Sequence, residues 1–326
     1  MGFGAKPVVL IVTPATRSAN NGNWRTAARW ADMLGDRYRV IVQTEWDGRP
    51  AEALIALHAR RSAASIAQFR AREPKRGIAV VLTGTDLYRD LPQSLEAIAS
   101  LDCADRVVVL QQAALASLEA RWRRKAQVIF QSARLLEARA KPSGRLDCVA
   151  VGHLREEKDP RTLFAAIEAL PAELPIRVRH IGAPLDVKLA QAARALARRE
   201  PRYRYLGALP RGLARSAIRA AHVLVHPSIM EGGANVVVEA LTSGTAVIAS
   251  RILGNVGMLG ADYPGYFEVG SSSGLAFKLL QALEEKGYLA RLGRACARRK
   301  ALFRPETEAR KVRALAADLI ALGRER

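Results

Sequence analysis

Short runs of consecutive apolar residues recur along this chain, separated by longer segments whose apolar positions return every three or four residues. In the first half the runs are 7–13, 38–43, 53–57, 78–83, 106–110 and 126–130, with helical patterns at 24–34, 62–72, 91–100 and 113–122. A strand with one wet face alternates polar and apolar residues, so unbroken apolar runs predict strands buried on both faces. Such strands belong to a parallel sheet flanked by helices. Residues 138–145 are polar and carry Pro142 and Gly144, and they read as a linker. The rhythm then restarts, with runs at 146–151, 176–181, 203–206, 223–226, 246–250 and 266–269. Helical patterns follow at 160–170, 185–198, 213–221, 234–242, 274–286 and 305–322. The pattern predicts an α/β protein of two doubly wound, Rossmann-like domains, residues 1–140 and 145–304, with a terminal helix in 305–326. Ligands of such domains bind beyond the carboxyl ends of the strands, and two such edges are expected to face each other across a cleft.

Composition narrows the class. The chain has 326 residues, 49% hydrophobic and 25% charged, which fits two packed cores and excludes a disordered chain. No stretch approaches the ~20 apolar residues of a membrane span, and the first residues lack a secretory cleavage pattern. Cys103, Cys148 and Cys296 are odd in number and far apart, so a disulfide framework is not expected and a reducing cytoplasm is. No His, Cys or carboxylate cluster has ligand spacing, so neither a metal nor another cofactor is expected.

The net charge of +20 invites a nucleic-acid reading. It is spread evenly, however, with 22 basic and 13 acidic residues in 1–144 against 29 and 18 in 145–326. Aromatic residues make up 6%, leaving few stacking platforms, and no nucleic-acid motif is present. Anionic small substrates suit the charge better than a specific nucleic acid.

Two motifs carry candidate chemistry. In His226-Pro-Ser-Ile-Met-Glu231-Gly-Gly-Ala-Asn235-Val-Val-Val-Glu239 a strand ends, a glycine pair follows, and a helix begins near Ala234. Glycines there let a ligand approach the backbone, and the first N–H groups of a helix attract negative charge. An ionised Glu231 only accepts hydrogen bonds, which suits a ligand rich in hydroxyls. The second motif runs from Gly152 to Asp159 and places Arg155 and Lys158 ahead of a helix. Such cations neutralise a leaving diphosphate. The bland alternative is a pair of surface charges balanced by Glu156 and Glu157.

The Glu231–Glu239 spacing after Pro-Ser resembles the donor site of GT-B fold nucleotide-sugar glycosyltransferases of the glycogen-synthase-like group. That resemblance implies that Glu231 and the backbone of Gly232, Gly233, Ala234 and Asn235 hold a donor sugar, and that Glu239 holds the ribose. It puts Lys158 at the position of the family's diphosphate-binding Lys, with Arg155 and His153 beside it; His153 stands where the family usually has Arg. Catalytic roles fall on His58, Arg155, Lys158 and Glu231. In this fold class the terminal helix crosses back to the first domain.

A narrower resemblance spans about residues 7–305. Gly22-Asn23-Trp24-Arg25-Thr26, Leu57-His58-Ala59-Arg60-Arg61-Ser62, Leu82-Thr83-Gly84-Thr85-Asp86-Leu87-Tyr88 and Gly254-Asn255-Val256-Gly257-Met258-Leu259-Gly260 resemble the selenosugar synthase (SenB) family of selenoneine biosynthesis. The resemblance implies glycosyl transfer from UDP-GlcNAc or UDP-glucose to selenophosphate. A hydroxyl acceptor is the alternative within the fold class. Selenium in selenophosphate is already nucleophilic, so the acceptor side needs an anion pocket more than a strong base. Gly22, Asn23, Arg25, Thr26, Thr85, Asp86 and Asn255 are the acceptor candidates, with the loop from Ser18 leading into the first of them. Arg25 could instead pair locally and Asp86 could cap a helix. His58 ends a strand where this superfamily often has a His facing the sugar, although a lone His is more often structural.

Overall fold

The structure, a computed structural model, describes residues 5–16 and 22–326. Its elements are β1 (Val8–Val12), α1 (Gly22–Leu34), β2 (Arg39–Gln43), β3 (Ala53–Leu57), α2 (Ala63–Arg72), β4 (Gly77–Val81), α3 (Leu95–Cys103), β5 (Arg106–Val109), α4 (Ala120–Arg123) and β6 (Ala126–Val128). They continue with β7 (Leu146–Val151), α5 (Pro160–Ala169), β8 (Ile176–Ile181), α6 (Val187–Arg199), β9 (Tyr203–Tyr205), α7 (Arg211–Ala220) and β10 (Val223–His226). The last are α8 (Asn235–Thr242), β11 (Ala246–Ser250), α9 (Leu253–Leu259), β12 (Tyr266–Phe267), α10 (Ser272–Glu284), α11 (Tyr288–Arg299) and α12 (Pro305–Glu325). The chain forms two compact units, one reaching to Gln131 and including Pro305–Arg326, the other Ser132–Arg304.

The first unit holds a six-stranded parallel sheet in the order β2-β1-β3-β4-β5-β6. Alternate residues of each strand feed two cores. Val9 and Ile11 pack with Ala27, Trp30, Leu315 and Leu319 of α1 and α12, while Leu10 and Val12 join Ile66, Phe69 and Leu101 of α2 and α3. Both faces are dry, which is why the runs are unbroken. Gly77 lets α12 lie against β4, because a Cβ there would come closer than 3.0 Å to the Leu319 backbone. Glu308 of α12, itself buried, accepts the indole N–H of Trp30 at 2.7 Å and Arg29 Nε at 2.8 Å.

The second unit holds another six-stranded parallel sheet, ordered β12-β11-β10-β7-β8-β9. In each sheet the direction of growth reverses once, between β1 and β3 and between β7 and β10. Helices on opposite faces diverge at such switch points and open a crevice beyond the strand ends. Both non-glycine residues with positive φ among the described residues, His58 at 75° and Asp159 at 44°, follow a strand on these edges.

Several boundaries differ from the pattern. The helix expected at 113–122 is a 3₁₀ turn, Gln112–Ser117, followed by α4. The backbone is extended at Leu118 and Glu119, and Arg123 takes the Leu118 carbonyl at 2.6 Å. The helix expected from residue 91 begins at Leu95, where Ser94 caps it after Pro92; a wide π-helical turn, Asp86–Asp90, precedes it. Helices α9 and α11 had no counterpart in the pattern: Gly254 and Gly257 made the first look like a loop, and four arginines masked the second. No helix among the described residues is long and apolar enough to cross a membrane.

Candidate active site

The switch point of the second unit gathers the two motifs. After β7 the chain turns at Gly152, makes a 3₁₀ turn at Glu156–Lys158, and enters α5 through Asp159. Asp159 adopts the left-handed conformation, caps α5 by accepting Thr162 N–H at 3.2 Å, and is followed by Pro160. The stem of Lys158 lies over Gly152, where an added Cβ would meet its Cγ and Cδ at 3.4 Å. The turn is tied to the loop after β10 by Ile229 N–H donating to Glu157 O at 3.0 Å. These constraints bring Lys158 Nζ onto Glu231 Oε1 in an ion pair whose side chains are 18% and 11% exposed.

His226, at the end of β10, places Nε2 3.3 Å from the same oxygen. His226 thus stands with Lys158 against the Glu231 carboxylate. Burial alone would raise the Glu231 pKa, but Lys158 and His226 outweigh it and hold the carboxyl well below the usual range. The pair thus holds Glu231 as a carboxylate, which suits a hydrogen-bond acceptor. Lys158, His226 and Ser228 line a small cavity of about 10 Å³. A roomier depression of about 500 Å³ beside Trp46 and Arg72 contains none of the candidate residues.

Arg155 is half exposed and lies 3.9 Å from Glu157, while Glu156 faces Arg161 at 3.8 Å. The surface-charge reading thus describes Arg155 in this structure but not Lys158. His153 Nδ1 accepts Ala183 N–H at 3.0 Å and braces this loop against the one after β8. Glu239 is buried in α8, with Arg211 Nε 3.2 Å from its Oε1. Sequence reasoning missed Arg211 because it lies 28 residues away on α7, and passed over His226 as a strand end.

The loop Glu231–Ala234 is backed by α9. Ala234 N–H points at Met258 Sδ at 3.2 Å, and a Cβ on Gly254 would come closer than 3.0 Å to the Glu231 backbone. Gly254→Ala is expected to displace Glu231 and lower the melting temperature by about 5–10 °C. A thermal melt checks this, and an unchanged midpoint would show that the loop yields freely. Asn255, an acceptor candidate, lies in this second unit, fully buried, donating through Nδ2 to Ser250 O at 2.9 Å. The structure groups it with the Glu231 loop rather than with the other acceptor candidates.

Those others lie in the first unit. Gly22, Asn23, Arg25 and Thr26 form the first turn of α1, and residues 18–21 of the preceding loop lie outside the described residues. Thr26 is buried; its hydroxyl donates to Gly22 O at 2.9 Å and accepts Gln131 Nε2 at 2.6 Å, so it orders the turn and has no hydrogen to spare for a ligand.

Of the two readings of His58, its surroundings in the first unit match the structural one. Its ring is 1% exposed. Nδ1 lies 3.4 Å from the Arg61 N–H, which assigns the proton to Nε2, 3.3 Å from Thr85 Oγ1 and 3.7 Å from Asp90 Oδ2. Burial, then the charge of Arg61, lowers its pKa to about 4, so it is neutral near pH 7. Both nitrogens have neighbours inside the unit.

Asp86 is also internal. It is fully buried and accepts Ala59 N–H at 3.0 Å, Thr83 N–H at 2.6 Å and the Thr83 hydroxyl at 2.8 Å. Its role is to tie the loops after β3 and β4 together, because no oxygen reaches the surface for an acceptor. Burial raises its pKa to about 7 against those donors. A carboxyl pKa raised on folding removes stability as pH climbs from the unfolded value near 4 to the folded one. The stability difference between the native protein and Asp86→Asn is therefore expected to move against the native protein between about pH 4 and 7. Melts across that range check it; a constant difference would mean that Asp86 is ionised throughout. Among the described residues no group of three or more His, Cys, Asp or Glu could hold a metal ion.

Comparison with known proteins gives this arrangement a class. The sequence profile described as glycosyl transferases group 1 matches residues 132–299, more than half of the chain, and the chain belongs to that family. The fold is the GT-B fold of two parallel-sheet α/β units. Similar solved structures include sucrose-phosphate synthase from Thermosynechococcus elongatus, with TM-score 0.77 and 17% identity over 97% of this chain and 99% of that one. An α,α-trehalose-phosphate synthase (UDP-forming) from Burkholderia vietnamiensis gives 0.74 and 13% over 99% and 100%. Anabaena Alr3699/HepE, in complex with UDP and glucose, gives 0.71 and 14% over 97% and 99%. No curated protein sequence gives a significant match.

Proposed function

We propose that this glycosyltransferase moves a sugar from UDP-GlcNAc or UDP-glucose to selenophosphate. The observation that carries the donor half is the Lys158–Glu231 pair at the switch point of the second unit. A carboxylate kept ionised beside an ammonium offers a diphosphate and a sugar what each lacks. Lys158 turns its charge to the β-phosphate, with Arg155 swinging in from the surface, and Glu231 accepts hydroxyls of the sugar. Gly232, Gly233, Ala234 and Asn235 bring backbone close to that sugar. Glu239 takes the ribose hydroxyls, and His153 keeps the diphosphate loop in place. The Anabaena neighbour with UDP and glucose bound supports this reading by its shared fold.

On the acceptor side, selenium attacks C1 of the sugar. A C–Se bond forms, the C1–O bond to the diphosphate breaks, and the electron pair leaves on UDP, where Lys158 meets the growing charge. Water then cleaves the P–Se bond to give phosphate and the selenosugar. No base is needed to generate the nucleophile, which fits a first unit whose His58 is neutral and internal. Gly22, Asn23, Arg25 and Thr85 are the acceptor-side groups of this reading, with Thr26, Asp86 and His58 beneath them. The resemblance to selenosugar synthases over about residues 7–305 supports the selenium acceptor. The test is incubation of the pure protein with selenophosphate and each UDP-sugar, followed by mass spectrometry. Stoichiometric UDP and a selenosugar are expected; UDP formation with sugar hydroxyl acceptors alone would reject the selenium acceptor and retain the donor.

A further inference from the structure

Glu239 lies in the middle of α8 with its side chain 4% exposed, and Arg211 Nε meets its Oε1 at 3.2 Å. A carboxylate buried so deeply is costly unless it is paired. Arg211 is the first residue of α7, 28 positions away along the chain, and its own side chain is 48% exposed.

The seating of α7 fixes this meeting. Arg211, Arg215 and Arg219 recur every fourth residue and so lie along one stripe of the helix. Arg215 Nη2 donates to Thr242 Oγ1 of α8 at 3.4 Å and also to the Arg134 carbonyl. Arg219 Nε donates to the Glu137 carbonyl at 2.8 Å, and Leu136 N–H donates to Thr242 O at 2.9 Å. The segment 134–137 therefore stitches α7 to α8 one turn beyond Glu239, all inside the second unit. The charge of Arg215 also reaches Glu239, but its hydrogen bonds go to Thr242 and Arg134. Of the three arginines, Arg211 is the one hydrogen-bonded to the carboxylate.

One end of this pair is open to solvent, so it adds little to stability. Its other effect is on direction. A glutamate side chain has several staggered rotamers, and holding Oε1 fixes where Oε2 points. An ionised carboxylate offers about four acceptor positions, so a single N–H leaves room for two neighbouring hydroxyls. We propose that Arg211 is a positioning residue for the donor, orienting the Glu239 carboxylate to receive the two hydroxyls of the nucleotide's ribose. This rests on the functional reading above, in which Glu239 takes those hydroxyls. Arg211 acts through Glu239 and not on the diphosphate, so its loss falls on ribose recognition and not on bond breaking.

The test titrates the full chain with UDP and with 2′-deoxy-UDP, which lacks one of the two hydroxyls, by calorimetry. The native protein is expected to prefer UDP by about tenfold or more, because the missing hydroxyl leaves a buried acceptor unpaired. Arg211→Gln is expected to weaken UDP about tenfold, to change 2′-deoxy-UDP by less than about threefold, and so to erase most of the preference. Arg211→Lys returns the charge without the fork and should recover part of it, which also gives a reading if the glutamine variant folds poorly. In turnover, Arg211→Gln should raise KM for the UDP-sugar and leave kcat within about threefold of native. Arg298→Gln, exposed on α11, is the control for general loss of charge and should bind both nucleotides as the native protein does. Glu239→Gln separates the two readings. If it erases the preference and the Arg211 variants do not, the positioning role is overturned and the ribose reading stands. If Glu239→Gln keeps the preference, or the native protein shows none, the ribose reading falls and the positioning role with it. Equal weakening of both nucleotides by Arg211→Gln also overturns the role.

Discussion

Lys158→Ala is expected to lower turnover by about 10²–10³-fold, the typical effect of deleting one preorganised group that meets charge in a transition state. The geometry gives two reasons for an effect of that size. Lys158 is held over Gly152 by the 3₁₀ turn and the Asp159 cap, so its charge is already in position before the diphosphate arrives. Its removal also leaves Glu231 buried and negative next to an incoming diphosphate, and like charges at that range repel. The fall should be larger in kcat than in the rise of KM, because the leaving group gains charge as the bond breaks. Lys158→Arg keeps the charge and should lie between the two. Initial rates of UDP release measure this, and turnover within about threefold of native would remove Lys158 from the mechanism.

Glu231→Gln is expected to weaken UDP-sugar binding by about 10–100-fold while leaving UDP much less affected, because in the proposed function the lost carboxylate accepts hydroxyls of the sugar and not of the nucleotide. Paired titrations of UDP and UDP-sugar separate the cases, and equal losses for both would move Glu231 to the diphosphate. The substitution also has a signature in stability. A carboxyl held below its ordinary value of about 4.5 stabilises the fold above that pH and loses the contribution as pH falls toward the depressed folded value. The native advantage over Glu231→Gln should therefore be full near pH 7 and shrink below about pH 4.5. It should amount to about 3 kcal/mol or less, since both side chains retain some contact with solvent.

Much of the fold was legible along the chain. The runs 53–57, 146–151, 223–226 and 246–250 coincide with β3, β7, β10 and β11, because a strand dry on both faces announces itself without any knowledge of its neighbours. Helix α9 was not legible. Gly254 and Gly257 have poor helix propensity and are tolerated because Gly254 must let the Glu231 backbone pass. In α11, Tyr288, Leu292, Ala295 and Cys296 do repeat at helical spacing, but the intervening arginines hid the face.

The site divides along the same line. Glu231, the glycine pair and Lys158 could be picked out because their residue types follow strand ends in a recurring order. The sequence does not say that Lys158 and Glu231 are partners across 73 positions, that Arg211 reaches Glu239, or that Arg60 and Arg89 share Asp90. Nor could it separate Thr85, which touches His58 from a partly exposed position, from Asp86, which is sealed beneath. Burial depends on what the sheet order stacks above a residue.

By itself, then, the sequence determined the two parallel sheets, most of their strands and the chemical types at their carboxyl edges. These follow from local apolarity and from turn residues acting over a few positions. The tertiary structure alone decided which cation meets which carboxylate, and so which groups are ionised, neutral or available. That outcome is set by strand order, which makes β7 a neighbour of β10 and β3 a neighbour of β1, and by the dry packing that raises or lowers each charge.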